Sequence, residues 1–196
     1  MTSRPYRLLG GYLLPALLLA FLCTPANSAD LRKVTVDFID GRYHLESRAW
    51  FDASHDALYA VLTNYDLFTK ISSGFAEARN LAPDKKGRPR FYTRLEGCVL
   101  MFCKSMQRNG YLVLKPPNEI ISVGYARQSD FRYSRERWLL RPEKGGTEMT
   151  YTFEMEPAFW VPPVIGPFMI KRTLREGGID AVDRIEAIAQ GKEPKP

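Results

Sequence analysis

Histidine is nearly absent from this chain, with 2 in 196 residues, and cysteine numbers only 3. His44 and His55 stand far in sequence from Cys98 and Cys103, so no zinc-ligand spacing can be assembled from them. His44 falls on a strand pattern among alternating charges, and His55 sits at a helix start beside Ser54 and Asp56; both read as surface residues. The sequence has no Ser-His-Asp order, nucleophile elbow or glycine-rich phosphate loop. Repeats, low-complexity tracts and internal linkers are missing too. No catalytic residue, metal or cofactor is implied, and the reading leans away from an enzyme. The net charge of +6 is spread along the chain rather than gathered in a basic stripe, which excludes a nucleic-acid binder of the usual kind but suits an anionic membrane surface.

The longest apolar run, Leu8 to Leu22, is interrupted by glycines and a proline. It is shorter than the roughly 20 residues a membrane-spanning helix needs. Arg4 and Arg7 precede it, and Ala26-Asn27-Ser28 follows with small residues three and one before a cleavage point. This is the pattern of a secretory signal peptide over residues 1–28, cut after Ser28, and it predicts a periplasmic protein. Lipid attachment at Cys23 is the alternative, but Ala20-Phe21-Leu22 lacks the small residue expected just ahead of a lipidated cysteine. Loss of Arg4 and Arg7 leaves 26 Lys+Arg against 22 Asp+Glu, a net charge of +4. The remaining chain suits a single domain over 29–192 with a tail over 193–196, and a monomer is expected.

Export leaves Cys98 and Cys103 as a pair, which in an oxidising compartment reads first as a disulfide. Their spacing is not Cys-x-x-Cys. A bond requires a hairpin, with one strand ending at Cys98, the next beginning at Cys103, and Val99 to Phe102 as a four-residue connection. On one continuous strand, five steps would hold the two about 17 Å apart on opposite faces.

VTVDFIDGRYHLESRAWF alternates on both sides of Asp40-Gly41 and predicts a hairpin. FDASHDALYAVLTNYDLF places Leu58, Val61 and Leu62 at helical spacing behind Ser54 or Asp52 as N-cap, and Tyr65 to Phe68 extends it as a short second helix. From Phe75 to Glu156 the period is two, with turn signals that divide the segment into about six antiparallel strands. In EMTYTFEME, Met149, Tyr151, Phe153 and Met155 share one face, and in RERWLL, Trp138 and Leu140 lie opposite Arg137. Glu136 beside Trp138, and Asp130, are candidate buried acids.

The cover for this sheet is a long amphipathic helix within Pro163 to Gln190. Its apolar arc holds Ile170, Leu174, Gly178, Ala181, Val182, Ile185, Ile188 and Ala189, opposite a polar side with Arg172, Glu176, Asp180, Asp183 and Glu186. Gly177-Gly178 in its middle should cost about 2 kcal/mol relative to alanine. Either the pair packs close on the sheet or bends the helix, or it leaves space for a ligand.

Strand hairpin, helix pair, antiparallel strands and a long terminal helix follow the order of the helix-grip fold. FDASHDALYAVLTNYDLFTKI, LKPPNEI, the QSDF of Gln128 to Phe131, RWLLRPEKGGTEMTY and PAFWVPPVIGP resemble the START-like (SRPBCC) superfamily. Within it they resemble exported bacterial members of the branch that groups polyketide cyclase-like with coenzyme Q-binding proteins. The resemblance spans about Val34 to Ala189. It implies an α+β fold, with a curved antiparallel sheet of about 6–8 strands around the long C-terminal helix. It also implies a cavity between them for an apolar small molecule, lipid or quinone-like. Candidate lining residues are Phe68, Trp138, Leu140, Tyr151, Phe153, Leu174, Gly178 and Val182, each of which could equally be ordinary core.

PAFWVPPVIGPF carries four prolines and no charge, so it is neither strand nor helix interior. Phe159, Trp160, Val161, Val164 and Ile165 would form an apolar patch beside Lys171, Arg172 and Arg175. Exposed, the patch suits a peripheral membrane contact or a protein partner; buried, it closes one end of the core. Three function classes follow: a carrier of an apolar ligand, an envelope interaction module that uses this loop, and a cyclase-type enzyme, which would require a polar group projecting into the cavity.

Overall fold

Among the described residues, eight strands, Asp30–Ile39 (β1), Arg42–Phe51 (β2), Phe75–Leu81 (β3), Arg90–Val99 (β4), Phe102–Lys115 (β5), Glu119–Gly124 (β6), Phe131–Glu143 (β7) and Gly146–Pro157 (β8), form one antiparallel sheet in the order β1-β2-β8-β7-β6-β5-β4-β3, and three helices cover one face of it. The computed structural model describes residues 29–99, 102–162 and 166–194. Residues 1–28, Leu100-Met101, the stretch 163–165 with Val164 and Ile165, and the last two residues of the tail lie outside the described residues. Among the described residues, no helix is long and apolar enough to cross a membrane.

Strands β1 (Asp30–Ile39) and β2 (Arg42–Phe51) pair through Ile39 and Arg42 across Asp40-Gly41. Both turn residues have positive φ, 51° and 80°, the geometry of a type I′ hairpin turn that Asp-Gly favours. Ser54 caps α1 (His55–Thr63) by accepting from the Ala57 N–H at 3.2 Å, which selects it over Asp52. A 3-10 turn over Tyr65–Leu67 and the single turn α2 (Phe68–Ile71) complete the pair. The chain then runs down the sheet as β3 (Phe75–Leu81), β4 (Arg90–Val99), β5 (Phe102–Lys115), β6 (Glu119–Gly124), β7 (Phe131–Glu143) and β8 (Gly146–Pro157). Strand β8 closes the order by pairing with β2, the one contact between strands distant in sequence.

The final helix, α3 (Gly166–Ala189), packs on β1, β2, α1 and α2. Its apolar arc explains this: Val182 and Ile185 are buried, and Ala181, Ile188 and Ala189 pack against the same core, with Leu58, Phe68, Phe91, Leu112, Ile120, Trp138 and Leu140. Two expectations are corrected. Glu186 does not sit on the solvent face of α3 but is buried, because backbone N–H groups of Ala29 and Asp52 draw its carboxylate inward at 3.0 and 2.7 Å. The cysteine hairpin is tighter than a four-residue connection, since Val99 and Phe102 are themselves paired and only Leu100-Met101 joins the strands.

Candidate functional site

Alternation on the inner face of the sheet is broken where polar side chains occupy positions that should be apolar. On β7, Ser134 and Glu136 share parity with Trp138 and Leu140; on β6, Ser122 sits two residues from Ile120; on β5, Arg108 shares parity with Gly110 and Leu112. The registers bring them together, with Ser122 opposite Glu136 and Glu136 opposite Phe153. All four polar side chains are buried.

They satisfy one another. Arg108 donates from Nε to Ser134 Oγ at 2.8 Å, from Nη2 to Ser122 Oγ at 2.8 Å and from Nη1 to Glu136 Oε2 at 2.5 Å. Ser122 also donates to Glu136 Oε2 at 2.5 Å, and the Tyr151 hydroxyl donates to Glu136 Oε1 at 2.9 Å. Burial by itself would weaken the charge on Arg108, but Glu136 together with Tyr65 and Tyr151 outweighs that and raises its pKa. The Tyr151 phenol is pushed well up, first by burial and then by the Glu136 carboxylate, so it is held as a hydrogen-bond donor.

Backbone openings make the cluster possible. A Cβ on Gly124 would lie 2.1 Å from Ser134 Oγ, so only glycine leaves room for the Arg108–Ser134 bond. At Gly110 a Cβ would strike the Val123 carbonyl and the Phe91 ring, which lies across the strand there. From that ring a stack runs outward: Phe91 on Tyr65 at 4.3 Å, and Tyr65 on Phe68 at 4.1 Å. On its other side the Arg108 guanidinium sits 4.9 Å from the Phe91 centroid and 5.7 Å from that of Phe153. Asn80 holds the middle of this stack by accepting from the Tyr65 N–H at 3.1 Å.

Among the described residues, two buried hydroxyls at the cluster make no well-formed hydrogen bond: Tyr65 Oη, which has Ser122 and Arg108 beside it, and Thr93 Oγ1. Tyr65 is fully enclosed beside Ser122 and Arg108, and burial followed by the Glu136 charge pushes its phenol far up. Thr93 stands opposite Arg108 in the β4–β5 register. Unpaired buried donors cost about 1–3 kcal/mol each, so two at one place are a feature that needs a partner.

The surroundings differ on the two sides of the cluster. Toward α1, α2 and the C-terminal half of α3 lies the main core, which takes Phe68, Trp138, Leu140 and Val182 from the expected cavity lining, with Tyr151 at its margin against Trp138 at 5.3 Å. Toward the N-terminal half of α3 lies a smaller cluster in which Tyr43, Phe131 and Met155 are buried, while Met106, Phe153, Ile170 and Leu174 are only half-buried. Gly178 is half-buried as well, and a Cβ built on it or on Gly177 meets nothing within 4 Å. The glycine pair is therefore not a close-packing device: there is open space beside it. Phe153 and Leu174 are thus half-buried at the edge of the smaller apolar cluster, and Phe153 joins it to the polar cluster through Arg108, while Gly178 has open space at its Cβ position.

In the loop, Trp160 is 78% exposed, while Phe159 and Val161 are half-buried. The Lys104 ammonium lies 4.9 Å from the Phe159 ring. Val161 packs against Gly166 at the start of α3. The Cα atoms of Cys98 and Cys103 face each other in the β4–β5 register. His44 is half-buried opposite Asp37 and Glu154, and Asp130 ties Gln107 by accepting its N–H at 2.8 Å. Among the described residues no group of three or more His, Cys, Asp or Glu is placed to hold a metal.

Sequence reading identified Glu136 and Tyr151 but missed Arg108, Ser122, Ser134, Tyr65 and Thr93. The signal was parity: a charge or hydroxyl two residues from large apolar neighbours on the same strand face marks an inward polar position.

No family model matches the chain, and no curated protein sequence matches it. Solved structures do. The STAR-related lipid transfer protein from Xanthomonas axonopodis is 13% identical with a TM-score of 0.60, covering 84% of this chain and 99% of its own. The Zhui aromatase/cyclase from Streptomyces sp. R1128 is also 13% identical at a TM-score of 0.60, over 76% of this chain and 94% of that one. A START superfamily protein from Mycobacterium smegmatis is 17% identical at 0.58, over 76% and 97%. At such identities the likeness is one of fold, and that fold is the START-like helix-grip.

Proposed function

We propose that this chain is an exported carrier that holds an apolar small molecule, lipid or quinone-like, between the N-terminal half of α3 and the sheet. The observation that carries this reading is Phe153, half-buried with Leu174 at the edge of the smaller apolar cluster and set against Arg108 of a buried polar cluster, where the Tyr65 and Thr93 hydroxyls make no well-formed hydrogen bond; Gly178, with open space at its Cβ position, lies on the same inward arc of α3 as Leu174. The cluster defines the ligand class. Arg108 and Glu136 cancel in charge, and each Arg108 nitrogen is already engaged. What is left are neutral hydroxyl donors, which fit a carbonyl or hydroxyl at the end of an apolar body rather than a charged headgroup. The fold neighbours, one described as a lipid transfer protein, agree with an apolar ligand. Organic extraction of protein purified from the cell envelope, followed by mass spectrometry, is expected to yield such a molecule in near-stoichiometric amount. An empty extract, together with a photo-crosslinker at Trp160 that captures a protein, would replace the carrier with an envelope interaction module.

The loop supplies the membrane contact in this reading. Trp160 is exposed, as are Arg172 and Arg175 in the first turns of α3 that follow it in the chain, and an indole with basic groups suits the interface of an anionic bilayer. Trp160→Ser is expected to weaken sedimentation with vesicles of phosphatidylglycerol and phosphatidylethanolamine several-fold; unchanged binding removes the loop from the mechanism. The opposed Cys98 and Cys103 positions fit a disulfide that braces the β4–β5 tip, worth about 2 kcal/mol by chain entropy. Free thiols on alkylation of the unreduced exported protein would refute it.

A second reading has its own support. A buried carboxylate, two phenols and a guanidinium gathered in one cluster are the polar groups that a cyclase-type enzyme would need, and one fold neighbour is described as an aromatase/cyclase. A bound molecule recovered chemically altered after incubation with the protein would favour this reading over simple carriage.

A further inference from the structure

Glu186 is a buried carboxylate, 7% exposed, in the C-terminal half of α3. Its two oxygens each accept from a backbone nitrogen, Ala29 N at 3.0 Å and Asp52 N at 2.7 Å. Among the described residues, no side-chain cation lies within ion-pair distance of it. Buried charges in folded proteins are paired, because two dipolar donors do not replace the hydration of a full negative charge. A cation is therefore wanting at this point. The nitrogen 3.0 Å from Oε1 belongs to the residue that follows Ala26-Asn27-Ser28, the small-residue pattern of a leader-peptidase site.

We infer that the Ser28–Ala29 bond is the processing site, and that the ammonium it frees on Ala29 is the cation that pairs with Glu186. In the step itself a membrane-bound leader peptidase adds water across the peptide bond. The hydroxyl stays on the Ser28 carbonyl carbon, which leaves as a carboxylate, and the Ala29 nitrogen gains protons to become an ammonium at neutral pH. Before cleavage that nitrogen is a neutral amide and offers Glu186 a dipole only; after cleavage the same contact becomes a charge-assisted hydrogen bond. Ala29 also packs against the main core, so the new terminus is held at a defined place. The pair joins the first residue of the processed chain to the last helix, across 157 positions. Processing would thus complete the fold: the chain reaches full stability only once its leader is gone, a useful order of events for a protein that must cross a membrane unfolded. This rests on the exported part of the proposed function and not on the carrier part.

The first test is the intact mass of the protein recovered from the envelope fraction of a Gram-negative host making the full chain, expected to be that of residues 29–196. A terminus anywhere else overturns the inference. The second compares mature chains that begin at Ala29 and at Ser28, each with Glu186 or with Glu186→Gln. With Glu186, the extra residue is expected to lower the folded-to-unfolded ratio about tenfold in urea titration, the scale of a hydrogen bond to a charged group; with Glu186→Gln, the two chains should be equal. A penalty that survives Glu186→Gln, or no penalty with Glu186, overturns the pairing. If the Glu186→Gln chains do not fold, amine-selective acylation of the natural mature protein gives the answer. The Ala29 amine should react at least tenfold more slowly than in urea, and an equal rate refutes the contact. Lipid extraction is untouched by any of these results, so failure of the carrier reading and failure of this one are separately visible.

Discussion

Arg108→Met is expected to destabilise the protein by about 3–5 kcal/mol in urea unfolding, the range for stripping the partner from a buried charge. Met keeps the apolar stem but lacks the guanidinium, so the loss combines the stranded carboxylate with the space the guanidinium leaves. Glu136 would remain at 7% exposure with only the Ser122 and Tyr151 hydroxyls, and Ser134 would lose its donor. Adding Glu136→Leu removes the stranded carboxylate and is expected to recover most of the stability, because a well-packed apolar pair replaces a buried ion pair at little cost. The double variant should nevertheless bind no ligand with a polar end, since Tyr151 then lacks the acceptor that orients it. A single variant as stable as the parent, or a double variant no better than the single, would show that the two charges do not depend on each other.

Gly178→Leu is expected to have the opposite signature: bound ligand falls at least tenfold in the organic extract, while stability holds or rises by up to about 1 kcal/mol. The gain comes from replacing a helix-interior glycine, whose backbone loses the most entropy on folding. The loss of ligand comes from side-chain atoms placed where a Cβ now meets nothing within 4 Å, between Leu174 and Val182 on the inward arc of α3. Gly177→Ala is the control, since it gains the same helix propensity at a position where a Cβ is also unopposed, yet adds too little volume to fill the space. Full ligand content in Gly178→Leu would move the binding region elsewhere; a loss of several kcal/mol would mean that the space is already packed.

These two variants mark the limit of what could be read before the fold was known. Gly178 was visible as an anomaly on an apolar arc, but whether it pressed on the sheet or stood away from it depends on where α3 lies. The helix docks on β1, β2, α1 and α2, so its C-terminal half is buried while its N-terminal half keeps Ile170 and Leu174 only partly covered. Arg108 was harder. In SMQRNGYL it reads as one more charge on an exposed strand; its parity with Leu112 puts it on the inner face, and the glycines at 110 and 124 leave room for Phe91 and Ser134 to close around it. Glu186 misled for a related reason: a projection at 100° per residue sorts side chains by angle alone, whereas two backbone donors from distant segments drew this one in.

What the sequence by itself determined were the features set by neighbours a few residues apart. The Asp40-Gly41 turn, a helix start capped from Asp52 or Ser54, the two-residue alternation of β3 to β8 and the amphipathic course of α3 all follow from local backbone preference and from the period at which apolar side chains recur. From these the START-like architecture was legible. Which polar groups pair with which in the cluster, and the Glu186 contact, were decided by tertiary structure, since Arg108 reaches Glu136 across 28 positions and Ala29 reaches Glu186 across 157. A buried charge is tolerable only where its partner arrives from elsewhere in the fold, and no local pattern records that arrival.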